Sequence, residues 1–435
     1  MRAPLRLLLA MLGLCGCGHA NLVEDAAEND ASVVSIDAGI DAREDDAAVP
    51  EDAAATPDDV GDDVGNDAAS DPDAGLPAGA HLVGAGATGP RFTWVGDRPM
   101  LSWNYTARGT ARLRYVDTSG LPMERVDLGA IPGVGAPRHL WGFDFDGTSL
   151  GVIADADGRV NARRGAVSGR FALDGTPYAT WTPRPVMELT YALVALPSAP
   201  GWATAGLRTA PLWGTLNPVV PADLTLFDGD AVPLAPTELF RQTFSATIGR
   251  NGDRALAAWE DDSWDAFRCQ AREIDPSGAL ADDVFRFTCG NVGLNVVAHG
   301  SGYVISSYPP YGPIYLTQVD PPSASVVTEI MIPNTAGAVA LHQVVVASDA
   351  AGARLAMAVV TATGLPGMHT LYVQELDPLT LETRGDPVLL RAFPDGLVSG
   401  GVACTWTERG FLVAWTEGSL AGPGPWSTYT LLSAL

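Results

Sequence analysis

Several short stretches of this chain carry residues that could do chemistry. Gly147 to Gly151 reads GTSLG, the G-x-S-x-G spacing that lifts a nucleophilic serine above a sheet when it sits on a strand-to-helix elbow. Here LWGFDFD precedes the motif and GVIADAD follows it. Both flanks are strand-like, so the expectation for Ser149 is a hairpin turn and no catalytic residue is assigned. DFDG (Asp144–Gly147) and DADG (Asp155–Gly158) resemble pieces of Ca²⁺ loops but lack the further ligands and the closing glutamate. Asp and Gly are also the ordinary residues of tight hairpins, and that reading is preferred. The histidines are His19, His81, His139, His299, His342 and His369. None forms H-E-x-x-H or joins a C-x-x-C pair, so no zinc set is expected. The sequence has no phosphate loop and no dinucleotide fingerprint, so no cofactor is expected.

Cysteine and tryptophan supply the remaining candidates. In LAAWEDDSWDAFRCQAREIDPSG (Leu256–Gly278), a strand leads through an acidic loop into a second strand and a DPSG turn. Glu260, Asp261 and Asp262 read as the solvated opening of that loop. Phe267, Cys269 and Ala271 share the inward face of the following strand, with Arg268, Gln270 and Arg272 outward. The hairpin that turns at DPSG brings Cys269 near cross-strand register with Cys289, at a separation that suits a disulfide. Cys404, in GVACTW, reads as a small buried apolar residue. Trp103, Trp259 and Trp415 fall at one repeated position and read as packing. Trp213, Trp264 and Trp426 fall in or near loops and are the possible ligand-contact residues, since aromatic faces stack on sugars.

Those positions are placed by a repeat. From about residue 80 onward, runs of rough period-2 alternation are separated by Gly, Pro, Asp and Ser. Aligning the turn before each apolar run gives seven units, with turn glycines Gly96, Gly147, Gly201, Gly252, Gly302, Gly352 and Gly410. Each unit has a strand, the glycine turn and an apolar strand rich in Ala, Val, Leu and Trp. A third strand such as FRCQAREID or HTLYVQELD follows, often with an Asp turn and a fourth strand. Four antiparallel strands at this spacing resemble a β-propeller blade. The final unit lacks its fourth strand, and a spare apolar segment, AHLVGAG (Ala80–Gly86), precedes the first. Pairing the two would close the ring between the chain ends and leave no open edge there. The expected fold is therefore all-β, a propeller of seven four-stranded blades over residues 80–435. Six or eight blades are the neighbouring counts, because the second and third units are degenerate. A β-sandwich pair or a β-helix is the competing architecture.

The N-terminal part is a different material. MRAPLRLLLAMLGLCGCGHA has Arg2 and Arg6 before a short apolar run, Leu7 to Leu14. That run is too short to span a bilayer and fits an export signal. LCGC (Leu14–Cys17) resembles the lipobox of bacterial lipoproteins, with Leu14, Gly16 and Cys17 in register; plain secretion is the alternative. Taking Cys15 as the modified residue would put Leu14 where a small residue is preferred, so the lipidation site implied is Cys17. On that resemblance residues 1–16 are the signal peptide, and the anchor is N-terminal lipid in the membrane. Residues 22–75 hold 18 acidic residues against one base, Arg43, and no aromatic. Such a segment buries too little apolar surface to offset its ordering entropy. Residues 17–79 are read as a disordered acidic tether that accounts for most of the formal charge of −25. Lysine is absent, and no basic patch argues for nucleic acid.

The combination resembles surface or periplasmic lipoproteins of GC-rich Gram-negative bacteria. It implies a monomer anchored to the outer membrane of the cell envelope. The leading expectation is a non-catalytic binding or scaffolding protein for a protein or polysaccharide partner, since propeller loops gather around a central channel. The alternative is a propeller hydrolase or lyase with acids or histidines converging at the channel mouth.

Overall fold

The computed structural model describes residues 76–435 except 86–87, 105–111, 131–136, 157–165, 179–184, 187, 197–200, 209–219, 231, 233, 244, 262–267, 291, 335–339, 364–367, 394–396, 420–425 and 434. Cys17 and the expected tether up to residue 75 lie outside the described residues, as do Trp213, Trp264, Phe267 and Asp262.

Its strands form seven four-stranded antiparallel sheets. Six are sequential: blade 1 spans residues 88–127, blade 2 137–186, blade 3 188–243, blade 4 246–288, blade 5 292–332 and blade 6 340–392. Blade 7 takes three strands from residues 397–433, and His81–Ala85 as its fourth. The first strand of every blade lies against the first strands of both neighbouring blades, blade 7 against blade 1 included. That pattern closes the ring, puts the first strands innermost and makes the chain a seven-bladed β-propeller.

The spare N-terminal segment closes the ring as its position implied. His81–Ala85 pairs antiparallel with Ser427–Ser433, with His81 opposite Thr430 and Ala85 opposite Ser427. Side chains of blade 1 secure this strand from the other side. Trp103 Nε1 donates to the Ala85 carbonyl at 2.8 Å, and Arg114 Nη1 to the Val83 carbonyl at 2.6 Å.

Each blade is sandwiched between two others, so its second strand is buried on both faces. Gly302–Tyr308 of blade 5 is buried along its whole length. This is why the second strands are rich in Ala, Val, Leu and Trp instead of alternating with polar residues. In blade 4, Ala255, Ala257 and Trp259 pack toward blade 3, while Leu256 and Ala258 pack toward blade 5. Outer strands are solvated, and Thr383–Leu389 of blade 6 is exposed throughout.

The turn glycines behave as the repeat implies, with one shift. Gly96, Gly147, Gly201, Gly252, Gly352 and Gly410 all have positive φ. In blade 5 that role falls to Gly300 (φ 57°), and Gly302 opens the second strand. Aspartates lock the turns at the same end. Asp275 Oδ1 accepts from Ser277 N, Ser277 Oγ and Ala279 N, and Asp117 repeats the pattern with Ser119 and Leu121. Inner-to-second and third-to-outer turns therefore share one face of the ring, here the hairpin face.

The two cysteines of blade 4 are bonded. Cys269 and Cys289 form a disulfide with Cα atoms 5.7 Å apart, and both are buried. Arg268 is exposed, Gln270 and Arg272 are half-buried, and Ala271 is buried. Glu260 departs from the expectation of a solvated loop residue. The second strand runs to Asp261, two residues beyond Trp259, and Glu260 is buried inside it. Asp261 is half-buried and accepts from Gln270 Nε2 at 3.0 Å.

Candidate functional site

The inner strands reach the hairpin face at the mouth of the central channel, and polar side chains tie most of them to the next blade there. Thr93 Oγ1 of blade 1 donates to Asp144 Oδ1 of blade 2 at 2.5 Å. Asp144 Oδ2 accepts from Ala195 N of blade 3 at 2.7 Å. Arg250 of blade 4 reaches back past blade 3 to the Phe145 carbonyl at 3.1 Å and lies 3.5 Å from Asp144 Oδ2. Asn251 Nδ2 donates to the Gly300 and Gly302 carbonyls of blade 5. His299 of blade 5 meets Ser348 Oγ of blade 6 at 2.8 Å and the Pro378 carbonyl at 2.7 Å. Trp406 Nε1 of blade 7 donates to the Ala347 carbonyl of blade 6, and Trp94 Nε1 of blade 1 to Thr405 Oγ1 of blade 7, each at 3.0 Å.

This belt is uneven, and the unevenness makes the site. On the side of blades 1 to 4, Arg250, Asp144 and Thr93 fill the mouth with one hydrogen-bonded group. On the side of blades 5, 6, 7 and 1 a cavity of about 760 Å³ remains. Val297, Ala298 and Val346 give it apolar surface, and Trp94 and Trp406 stand at its wall. Ser348, Asp349, Arg354 and Thr405 supply the polar groups. The depression is broadly open to solvent and combines an apolar wall with a few polar atoms.

The polar groups are held in fixed geometry. The Arg354 guanidinium stacks 3.9 Å from the Trp406 ring centroid, and its Nη2 donates to the main-chain oxygen of Leu435 at 3.3 Å. Asp349 Oδ1 accepts from Ala353 N and Arg354 N. Cys404 is half-buried at the cavity wall, its Sγ 3.6 Å from the Val345 carbonyl. This corrects the expectation of a buried apolar role: one face of an inner strand looks into the channel. Burial pushes the thiol pKa up, which favours the protonated form.

The other chemical candidates resolve into structure. Ser149 is buried in a hairpin, where its Oγ donates to Asp146 Oδ2 at 2.9 Å and accepts from Arg170 Nε at 2.8 Å. Gly147 takes φ 101° to make the turn. A side chain at Gly151 would collide with the Trp202 indole. The whole GTSLG motif is therefore explained by folding. Burial alone would raise the Asp146 pKa, but hydrogen bonds from Thr148 and Ser149 outweigh it and hold the carboxyl below its usual range. Trp103, Trp259 and Trp415 are fully buried. Trp426 is half-buried and its ring packs on the backbone of Gly418, where a side chain would collide with it.

At the opposite end of the ring, two histidines do come together. The rings of His342 and His369 in blade 6 lie 4.9 Å apart. His369 Nδ1 accepts from Ser399 N of blade 7 at 3.1 Å, and His342 bonds the Ser399 backbone as well. Ser399 stands at a register shift of the inner strand, so the pair satisfies backbone groups that the irregularity frees. Close by, Arg391 and Glu417 form a buried two-bonded ion pair across the same junction, at 3.1 and 3.0 Å. Among the described residues, no group of three or more His, Cys, Asp or Glu is placed to hold a metal.

The residues missed from sequence are Trp94, Ser348, Asp349 and Arg354. Ser348, Asp349 and Arg354 belong to the first hairpin of blade 6 and Trp94 to blade 1, and the available signal was local: Trp94 stands two residues before the turn glycine Gly96.

No family model and no curated protein matches the chain. Among solved structures it is similar to hydrazine synthase of Kuenenia stuttgartiensis, at 12% identity and TM-score 0.48, over 80% of this chain and 96% of that one. It is also similar to the β-propeller domain of the Trilobed protease from Pyrococcus furiosus, at 9% identity and TM-score 0.43, over 79% of this chain and 95% of that one. A third likeness is to prolyl oligopeptidase B from Galerina marginata, at 10% identity and TM-score 0.40, over 81% of this chain and 48% of that one. The propeller assignment rests on blade order and ring closure, and function has to be argued from the site.

Proposed function

We propose that the chain is a non-catalytic binding and scaffolding protein whose ligand enters the channel mouth on the hairpin face. The observation that carries this reading is the cavity of about 760 Å³ between blades 5, 6, 7 and 1. Its groups are pinned by hydrogen bonds and stacking, which suits recognition, because prepositioned side chains lose little freedom on binding. In this reading Cys17 carries the lipid, the acidic segment is a spacer, and the monomeric propeller stands off the outer membrane with its mouth accessible.

Two experiments test the reading. Partners recovered from envelope extracts, glycans included, are compared between the full wild-type chain and Ala350→Trp. Ala350 is an exposed turn residue lining the cavity, and the larger side chain fills the mouth. Capture by wild type and loss with the variant is expected; equal capture by both sinks the mouth as the site. For the anchor, a fatty-acid analogue should label wild type but not Cys17→Ser, and equal labelling rules out lipidation at Cys17.

A further inference from the structure

The ligand class follows from the valences left at the mouth, on the reading that the mouth is the binding site. We propose that the occupant is the neutral end of a glycan: one sugar face stacks on Trp94, while Asp349 and Arg354 take adjacent hydroxyls.

Trp94 is half-buried, and its indole N–H is spent on Thr405 Oγ1 at 3.0 Å. The ring is fixed and has only its apolar faces to offer. Thr405 Oγ1 accepts that bond, which leaves its own O–H to donate. Asp349 uses Oδ1 for its two backbone partners, and among the described residues Oδ2 has no partner. Arg354 uses Nη2 for Leu435, and Nε and Nη1 likewise have no partner among the described residues. An acceptor and a donor therefore line the same mouth as the Trp94 ring. A sugar hydroxyl both donates and accepts, so a vicinal diol satisfies such a pair in one step. A pyranose also presents axial C–H groups that pack on an indole.

Charge narrows the class further. Asp349 and Glu408 oppose Arg354 in the lining, which leaves one net negative charge. Phosphate and uronate ligands are disfavoured at such a mouth by like-charge repulsion.

The experiment titrates the full chain with cellobiose, maltose and N,N′-diacetylchitobiose, with a digalacturonate and a panel of neutral tripeptides as the other arms. Tryptophan fluorescence and calorimetry are read for wild type, Trp94→Ala and Asp349→Asn. Asn keeps Oδ1 as the turn acceptor and replaces the free acceptor with a donor, so this variant should melt with wild type. At least one neutral disaccharide should bind, and each variant should weaken it at least tenfold. Trp94-dependent binding of digalacturonate or tripeptides alone overturns the glycan proposal and leaves the mouth reading standing. Binding that is indifferent to Trp94→Ala overturns both. Absence of binding by every neutral disaccharide also overturns the glycan proposal.

Discussion

The junction between blades 6 and 7 should loosen in mild acid, and His369 sets the size of the effect. The residue is 7% exposed. Burial, with the neighbouring His342, holds its pKa down to about 4 from an ordinary 6.5. Burial lowers His342 too, outweighing its bond to the Ser399 backbone. The charged groups on this junction are Arg391 and Glu417. Arg391 shares a blade face with His369, because its register partner Leu371 is two residues from His369, and Glu417 neutralises it across the junction. His369 Nδ1 accepts the Ser399 N–H, which requires that nitrogen to carry no proton. Between pH 6.5 and 4 the unfolded chain binds a proton that the folded chain refuses. Stability is therefore complete above the ordinary histidine range and is lost as pH falls through that window. At about 1.4 kcal/mol per pH unit, the gap between 6.5 and about 4 amounts to about 2 kcal/mol at pH 5 and about 3 kcal/mol at pH 4. Depressed carboxylates such as Asp377, held to about 2 by the Thr380 and Leu379 amides and by Arg384, act only below this range. The assay is urea unfolding of wild type and His369→Gln at pH 7.5 and pH 5, with hydrogen exchange at the Ser399 amide as a local readout. Glutamine can accept the same N–H without titrating. Wild type should lose about 2 kcal/mol more than the variant between the two pH values. Equal losses would refute the argument.

Two further predictions concern the ring itself. Replacing Cys269 and Cys289 together by alanine opens a loop spanning 20 residues, which should cost about 3 kcal/mol in thermal unfolding; a change below about 0.5 kcal/mol would mean the loop is already constrained without the bond. Deleting residues 1–85 should uncover the Ser427–Ser433 edge and leave the Trp103 and Arg114 donors without their carbonyl acceptors, at about 2 kcal/mol or more in lost hydrogen bonds alone. Deleting only residues 1–75 should leave melting unchanged, and equal melting of the two truncations would show that His81–Ala85 does not close the ring.

Much of the architecture was legible because it is periodic and local. Glycine is favoured where a hairpin turn takes positive φ, so Gly96, Gly147, Gly252 and Gly352 mark the blades directly. Asp117, Asp275 and Asp377 mark the turns by capping nearby backbone N–H groups. Cys269 and Cys289 flank one hairpin, which is why their bond could be argued from strand register. Glu260 departs from expectation because an acidic run suggests the start of a loop, whereas the strand continues two residues past Trp259. Cys404 departs from expectation for a different reason. Alternation tells which residues of an inner strand share a face, but it does not tell which face looks into the channel. The His342–His369 contact was invisible because it reaches across the middle strand of blade 6 at a register shift between Leu341 and Gln343.

The cavity was hidden for a related reason, and the belt shows how repetition generates a site. Its bonds join residues about one repeat apart: Thr93 and Asp144 are separated by 51 positions, Asp144 and Ala195 by 51, His299 and Ser348 by 49. Most blades thus bring a side chain to the same height, blade 3 offering the Ala195 backbone N–H instead, and identical blades would give a symmetric rim. The chain breaks that symmetry through side-chain length. Arg250 is long enough to pass blade 3 and reach blade 2, so that side of the mouth closes on itself. Across the ring the lining includes Val297, Ala298, Val346 and Ala347, which are too short to meet. The indoles of Trp94 and Trp406 bond to neighbouring blades instead of crossing the opening. An open mouth here is the consequence of which blades carry long polar residues and which carry short apolar ones. That comparison runs across the whole repeat and is not written in any single motif.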